Sequence, residues 1–381
     1  MRVYRAMFVG LITIGAGEGV YAAPQVTSAD YGVTADGRAV HVYTLSNGHG
    51  VSAKILDYGG IIAELNAPDR HGQARNVVFG LADLKAYEAT AGLNSLIGRY
   101  ANRIKGGFTL DGQHYSLPAN AKGITLHSGK PFYGALVWEA QTVREGSRAG
   151  VTLSHVSPDG EQGFPGEMHI HVTYTLSEAN DLRLDYEATT DKPTVVTLTN
   201  HVYFNLAGNG SGDVYGQKLQ VMADQYTPTD ADLVPTGELA PVAGTALDFR
   251  QLTPIGAHIR SNEQAMLYAR GYDHNFVLRK PAGDPLPLAV RMYDPASGRL
   301  LEVRTTEPGV QVYSANHMDG SVVSAAGTTI RQGDGLALET EHYPNSPNEP
   351  RFPSTLLRPG ETLRSTTVFH VTTDAVTHVA R

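Results

Sequence analysis

The chain has 381 residues, a formal net charge of −8 and no cysteine. This excludes disulfide staples, thiolate metal sites and cysteine nucleophiles, and the mildly acidic, well-mixed charge lacks the basic footprint of a nucleic-acid binder. A body of this length stabilised by its own core, with a small uncharged ligand, is the class that remains.

The chain begins with an address. Arg2 and Arg5 form a positive head, the run 6–16 is apolar apart from Thr13 and small glycines, and Val20-Tyr21-Ala22 is a small-residue cleavage pattern. The run is shorter than the roughly 20 apolar residues of a spanning helix. A signal peptide over 1–22 is therefore expected, with export to a periplasm or to the outside and no membrane contact after cleavage. The remainder, 23–381, shows neither a linker-like composition shift nor a fixed-period repeat and is expected to be one domain.

Period-two alternation then recurs along the chain. It is visible in Val40-His41-Val42-Tyr43, in Val151-Thr152-Leu153-Ser154, over 168–176, in Leu182-Arg183-Leu184-Asp185-Tyr186 and over 366–371, and it predicts half-buried antiparallel strands. Asp111-Gly112 between Phe108-Thr109-Leu110 and Gln113-His114-Tyr115 predicts a hairpin, and Asp294-Pro295-Ala296-Ser297-Gly298 a second strand connection. Helical spacing is scarce, with short candidates over 81–88 and 254–259. With 41 glycines and 21 prolines punctuating many short elements, the expected class is all-β, a sandwich or barrel.

The run Pro193-Thr194-Val195-Val196-Thr197-Leu198-Thr199 is rich in β-branched residues and reads as a strand that would carry His201 at a sheet end. Histidine exchanges protons near neutrality, so His201 is an acid candidate if its neighbours keep part of it protonated. On spacing alone, a histidine satisfied by core hydrogen bonds is the commoner reading. Gly208-Asn209-Gly210-Ser211-Gly212 follows as a loop beside that position. In Gly335-Leu336-Ala337-Leu338-Glu339-Thr340-Glu341, alternation puts Glu339 and Glu341 on the same side, where two carboxylates raise one another's pKa. On the pattern alone, a solvated strand edge is the plainer reading. Met168-His169-Ile170-His171 places two imidazoles on one strand face but shows no third ligand, so no metal site is expected.

Several motifs in order carry a family resemblance. Thr199-Asn200-His201-Val202-Tyr203-Phe204-Asn205-Leu206 closely resembles the TNHxYFNL signature of the aldose 1-epimerases, the mutarotases that interconvert the anomers of free sugars. Ile97-Gly98-Arg99-Tyr100-Ala101-Asn102-Arg103-Ile104 resembles their IGRxANRI, Leu126-His127-Ser128-Gly129 their LHGG, and Gly271-Tyr272-Asp273-His274-Asn275-Phe276 their GxDHNF. Glu307-Pro308-Gly309-Val310-Gln311-Val312-Tyr313 is similar to QPGVQxY. The 336–348 segment is similar to LE(T/P)Q followed by a P-D/N-S/A-x-N loop.

The resemblance implies a large antiparallel β-supersandwich of the galactose mutarotase type with a few short helices. It implies His201 as general acid and Glu339 as general base, with Asn102, Arg103, His127, Asp273 and Gln311 holding a monosaccharide, and no cofactor or metal. Tyr203 is a candidate for packing on a sugar face, and Arg99 is expected to be structural. Two departures stand out: Ser128 replaces a glycine, which puts the turn geometry beside His127 in question, and Glu341 replaces a glutamine. Two other functions suit these residues, a glycoside hydrolase using Asp273 with Glu339 as its carboxyl pair, and a non-catalytic carbohydrate-binding protein in which Ser128 and Glu341 mark the loss.

Overall fold

A computed structural model of the chain describes residues 23–374 apart from 91, 92 and 121, so the expected leader lies outside the described residues. The alternating segments form antiparallel strands in three principal sheets of nine, six and five strands. Met168–Ser177 and Asp181–Thr190 lie side by side in the nine-stranded sheet. Asp181–Thr190 is then paired with Leu363–Thr373, which joins Arg299–Thr305. In Asp181–Thr190 every second residue is buried and the others are partly exposed, as the sequence pattern required for a sheet packed on one face.

The three sheets close over a common apolar core that includes Leu45, Leu184 and Val312, each with no exposed surface. Burying such a side chain contributes roughly 1.5–3 kcal/mol. The Asp111-Gly112 hairpin forms as expected, with both turn residues at positive φ and Phe108 opposite Tyr115.

Three local expectations change. The helix over 81–88 is Leu84–Ala89, because the Asp83 carboxylate caps it by accepting from the Ala86 N–H at 2.9 Å. The 254–259 candidate is only a single 3-10 turn, Ile255–Ala257, and the α-helix of that region is Gln264–Ala269. The strand over 193–199 is interrupted: Thr194–Val195 pairs with Leu356–Leu357, and Thr199–Asn200 pairs with Leu96–Ile97. A buried β-branched run can change partners midway, because each half meets a different neighbour. Arg99 is fully buried, donating from its guanidinium to the carbonyls of Ser157, Pro158 and Pro165, which makes it a structural brace.

Candidate active site

The site grows out of the six-stranded sheet. Neighbouring strands Asp273–Leu278, Gly309–Tyr313, Leu336–Glu341 and Tyr203–Phe204 put Asp273 opposite Tyr313, Gln311 opposite Glu339, and Tyr203 beside Ala337. Since side chains alternate across a sheet, Asp273, Gln311, Tyr313, Glu339 and Glu341 share one face. Phe276, Val310, Val312, Leu336 and Leu338 enter the core from the other. All six residues of Leu336–Glu341 are buried, so the solvated-edge reading of Glu339 and Glu341 is corrected: a wall of polar segments covers them. Gly309, opposite Glu341, allows the close packing here, because a Cβ on it would stand 2.4 Å from Asn275 Oδ1.

That wall comes from two turns. Asn102, His127 and Ser128 all have left-handed backbone, a conformation non-glycine residues adopt rarely and often at functional sites. The Asn102 N–H donates to His127 Nδ1 at 3.1 Å, and the His127 N–H donates to the Asn102 carbonyl at 2.8 Å. The doubt about Ser128 is resolved, since its hydroxyl accepts from the Tyr100 N–H at 2.6 Å and donates to the Tyr100 carbonyl at 3.1 Å. Those bonds hold the turn in the shape a glycine would take.

From these turns a polar chain runs across the sheet. Asn102 Nδ2 donates to Glu341 Oε1 at 2.9 Å, Arg103 donates to Asn102 Oδ1 and to Asp273 Oδ2 at 3.0 Å each, and Gln311 Nε2 donates to Asp273 Oδ1 at 2.6 Å. The Asn102 side chain is thus engaged at both ends by protein, and Arg103 and Asp273 form a buried ion pair.

His201 closes the arrangement. Its N–H donates to the Ser95 carbonyl at 2.9 Å, and its Nε2 lies 3.4 Å from Glu339 Oε1. The His127 ring meets it edge-on with centroids 5.4 Å apart, and Tyr313 does so at 5.9 Å. Phe79 stacks on Tyr203 at 5.0 Å, and the His201 ring lies 4.8 Å from Tyr203 at a low tilt. Tyr203 thus packs between the stacked Phe79 and the tilted His201 ring and supports the imidazole.

Burial sets the charge states. It lowers His201 to about 4, with Asp273 pulling up and Arg103 pushing down by lesser amounts, so the imidazole is neutral at neutral pH. The condition attached to His201 as acid, partial protonation by its neighbours, is therefore not supplied by these side chains. Burial, then Glu341, then Asp273 push the Glu339 carboxyl well above its usual range against the pull of Arg103. Glu341 is raised to about 8, chiefly by burial. Burial also pushes Asp273 up, but Arg103 and Gln311 more than offset it, and Asp273 stays ionised. His127 is held well below its ordinary value by burial, so it is neutral. Because its Nδ1 accepts an N–H, its proton sits on Nε2.

His127, His201 and Glu339 bring ligand atoms within 4.8 Å of one another, the geometry of a metal site. The hydrogen bonding argues otherwise: a metal-ligating histidine donates its second ring N–H outward, whereas His127 Nδ1 accepts one. His169 and His171 stand exposed on the nine-stranded sheet, His169 beside Glu167 and His171 on Ser154. The 208–212 loop packs on Asn76, Gly80 and Thr328.

The structure therefore brings His201, Glu339, Asn102, Arg103, His127, Tyr203, Asp273 and Gln311 into one contiguous cluster. Several buried atoms in it lack a partner, namely His201 Nδ1, Glu339 Oε2, Glu341 Oε2 and Gln311 Oε1. Buried polar groups are seldom left unpaired, and a concentration of them in one cluster points to a functional site. Tyr313 and Asn94 were missed from the sequence. Tyr313 is signalled by its position two residues beyond Gln311 on the same strand face. Asn94, whose Oδ1 accepts from the Tyr203 N–H at 2.9 Å, carries no local signal.

A three-sheet β-supersandwich with paired buried carboxyls on one sheet face under two histidines sets the class of fold and site, and comparison gives the family. A sequence profile described as Aldose 1-epimerase matches residues 41–370, and the chain belongs to that family. It is 42% identical to a galactose mutarotase of Rattus norvegicus over 335 residues, covering 87% of this chain and 94% of that protein. It is 37% identical to an aldose 1-epimerase of Escherichia coli K12, covering 88% and 96%. The solved galactose 1-epimerase of Lactobacillus acidophilus superposes with a TM-score of 0.81 at 27% identity, covering 92% of this chain and 99% of that one.

Proposed function

We propose that this enzyme interconverts the α and β anomers of a free aldose of the galactose or glucose type, with Glu339 as base and His201 as acid. The observation that carries the reading is the His201 Nε2 to Glu339 Oε1 approach of 3.4 Å inside a buried cluster with unpaired polar atoms. Glu339 takes the proton of the anomeric hydroxyl, and the electron pair of that O–H becomes the C1 carbonyl as the bond from C1 to the ring oxygen breaks. His201 gives its proton to the ring oxygen. Rotation about C1–C2 presents the other carbonyl face, and the two transfers run in reverse. Each partner accelerates the reaction by about 10²–10⁴-fold.

Among these side chains alone the proton shared by the pair rests on the carboxyl, since burial disfavours both charges. The working form has the same number of protons with one moved to the imidazole. A sugar favours that form by donating its anomeric hydroxyl to Glu339 and accepting at its ring oxygen from His201. Arg103, Asp273, Gln311 and the Nε2–H of His127 orient the remaining hydroxyls, with Asn102 holding Arg103 in place. Asp273 is a poor member of a hydrolase pair, because both its oxygens accept from Arg103 and Gln311 and it stays ionised.

Export through a leader over 1–22 belongs to the same proposal, supported by Arg2, Arg5 and the Ala22 cleavage pattern. A single domain from residue 23 onward is supported by the core cluster that runs from Tyr43 to Val371. Polarimetry with fresh α-galactose and α-glucose tests the activity: the parent should speed relaxation, and His201→Ala and Glu339→Gln should abolish most of that gain. Variants that relax the sugar at the parent's rate would sink the assignment.

A further inference from the structure

The residue at 341, where the family pattern has glutamine, is the feature the reaction above leaves unused. Glu341 has no exposed surface, one oxygen held by Asn102 at 2.9 Å and the other without a partner. It stands two residues from Glu339 on the same strand face.

The surrounding charges leave these two glutamates without a cation of their own. Arg103, on the adjoining turn, is matched by Asp273 at 3.0 Å. Glu307, just before the strand Gly309–Tyr313 and also a departure from the family's glutamine, is matched by His342 at 2.6 Å. Tyr100, which also faces Glu341, is held neutral by burial. His201, on the Glu339 side, is neutral for the same reason. Two buried carboxyls with no free counter-ion share protons, because ionising both places like charges together out of water.

Resting on the anomerase reading, we propose that Glu341 is a positioning residue for the reaction: its buried carboxyl, held by Asn102 two residues from Glu339 on the same strand face, strengthens the base. The enzyme is thereby tuned to a more alkaline range than a glutamine at 341 would give. The one-proton form of the pair that the reaction uses then persists to higher pH, and the base has greater proton affinity once its proton has moved to His201.

The test is the pH profile of kcat/KM, which reports groups of the free enzyme, since the sugar itself does not titrate in this range. Glu341→Gln, isosteric and able to keep the Asn102 bond, should move the alkaline limb down by about one pH unit or more and lower the plateau kcat several-fold. Glu341→Asp should keep the limb raised. An alkaline limb in Glu341→Gln that superposes on the parent's would overturn the proposal. An infrared titration of the protonated-carboxyl C=O band reads the same coupling without activity, its midpoint falling in Glu341→Gln if the coupling exists and staying fixed if it does not. An inactive parent whose band shifts discards the sugar reading and keeps the coupling. An active parent whose limb and band stay fixed discards the coupling alone.

Discussion

In the strand Met168–Ser177, His169 and His171 point into solvent and each has a neighbour to bond, while Ile170 between them is buried. In Leu336–Glu341 all six residues are buried, and Glu339 and Glu341 each keep an oxygen without a partner. Both strands alternate in sequence, and both place a pair of ionisable side chains two residues apart. The difference lies in what stands over them, water in one case and the turns bearing Asn102, His127 and His201 in the other. The same spacing under a polar protein lid produces displaced proton affinities and unmet hydrogen bonds, which are properties a catalyst uses.

That contrast can be broken at several points. The largest effect is expected for Glu339→Gln, with kcat reduced about a thousandfold and KM nearly unchanged, as read by polarimetry at several sugar concentrations. Retained kcat would place the base elsewhere.

Next comes Asp273→Asn, which leaves Arg103 buried without its carboxylate. Stability should fall by about 3 kcal/mol and KM should rise at least about tenfold, measured by denaturant unfolding and saturation kinetics. An unchanged unfolding midpoint would mean that water reaches Arg103.

The third concerns stability and pH. The folded Glu341 carboxyl titrates at about 8, above the 4.5 of the free side chain, so the folded chain binds the extra proton between those values. Its contribution is intact below about pH 4.5 and is lost as pH rises toward 8. Glu341→Gln should therefore raise the melting temperature by a few degrees at pH 8, on the order of a few kcal/mol, and leave it unchanged near pH 4. Equal gains at both pH values would remove the electrostatic explanation.

The smallest effect belongs to the exposed strand. His171→Ala should change stability by less than about 0.5 kcal/mol and leave anomerisation untouched, checked by calorimetry and polarimetry.

Much of the fold was legible because β patterning is local. The alternation of Asp181–Thr190 follows from one face meeting the core, and the Asp111-Gly112 turn follows from two residues that tolerate positive φ. The helix Gln264–Ala269 was not legible, since six residues without a capping side chain give little periodic signal. The site was legible as a set of residues through motif order. Its inner geometry was not: Tyr203 could not be seen to lie against Phe79 and His201, and Asn94 supports the strand of Tyr203 from more than a hundred residues away.

The sequence by itself determined the strands, the residues available for proton transfer and the two departures, Ser128 and Glu341, because each is a matter of identity and short-range spacing. Only the tertiary structure decided that Ser128 restores the turn through Tyr100, that His201 is neutral at neutral pH, and that Glu341 lies beneath Asn102 rather than in solvent. Proton affinity depends on how much water and which charges surround a group. For these residues that surrounding is assembled from segments spread from Asn94 to Glu341, which no local pattern brings together.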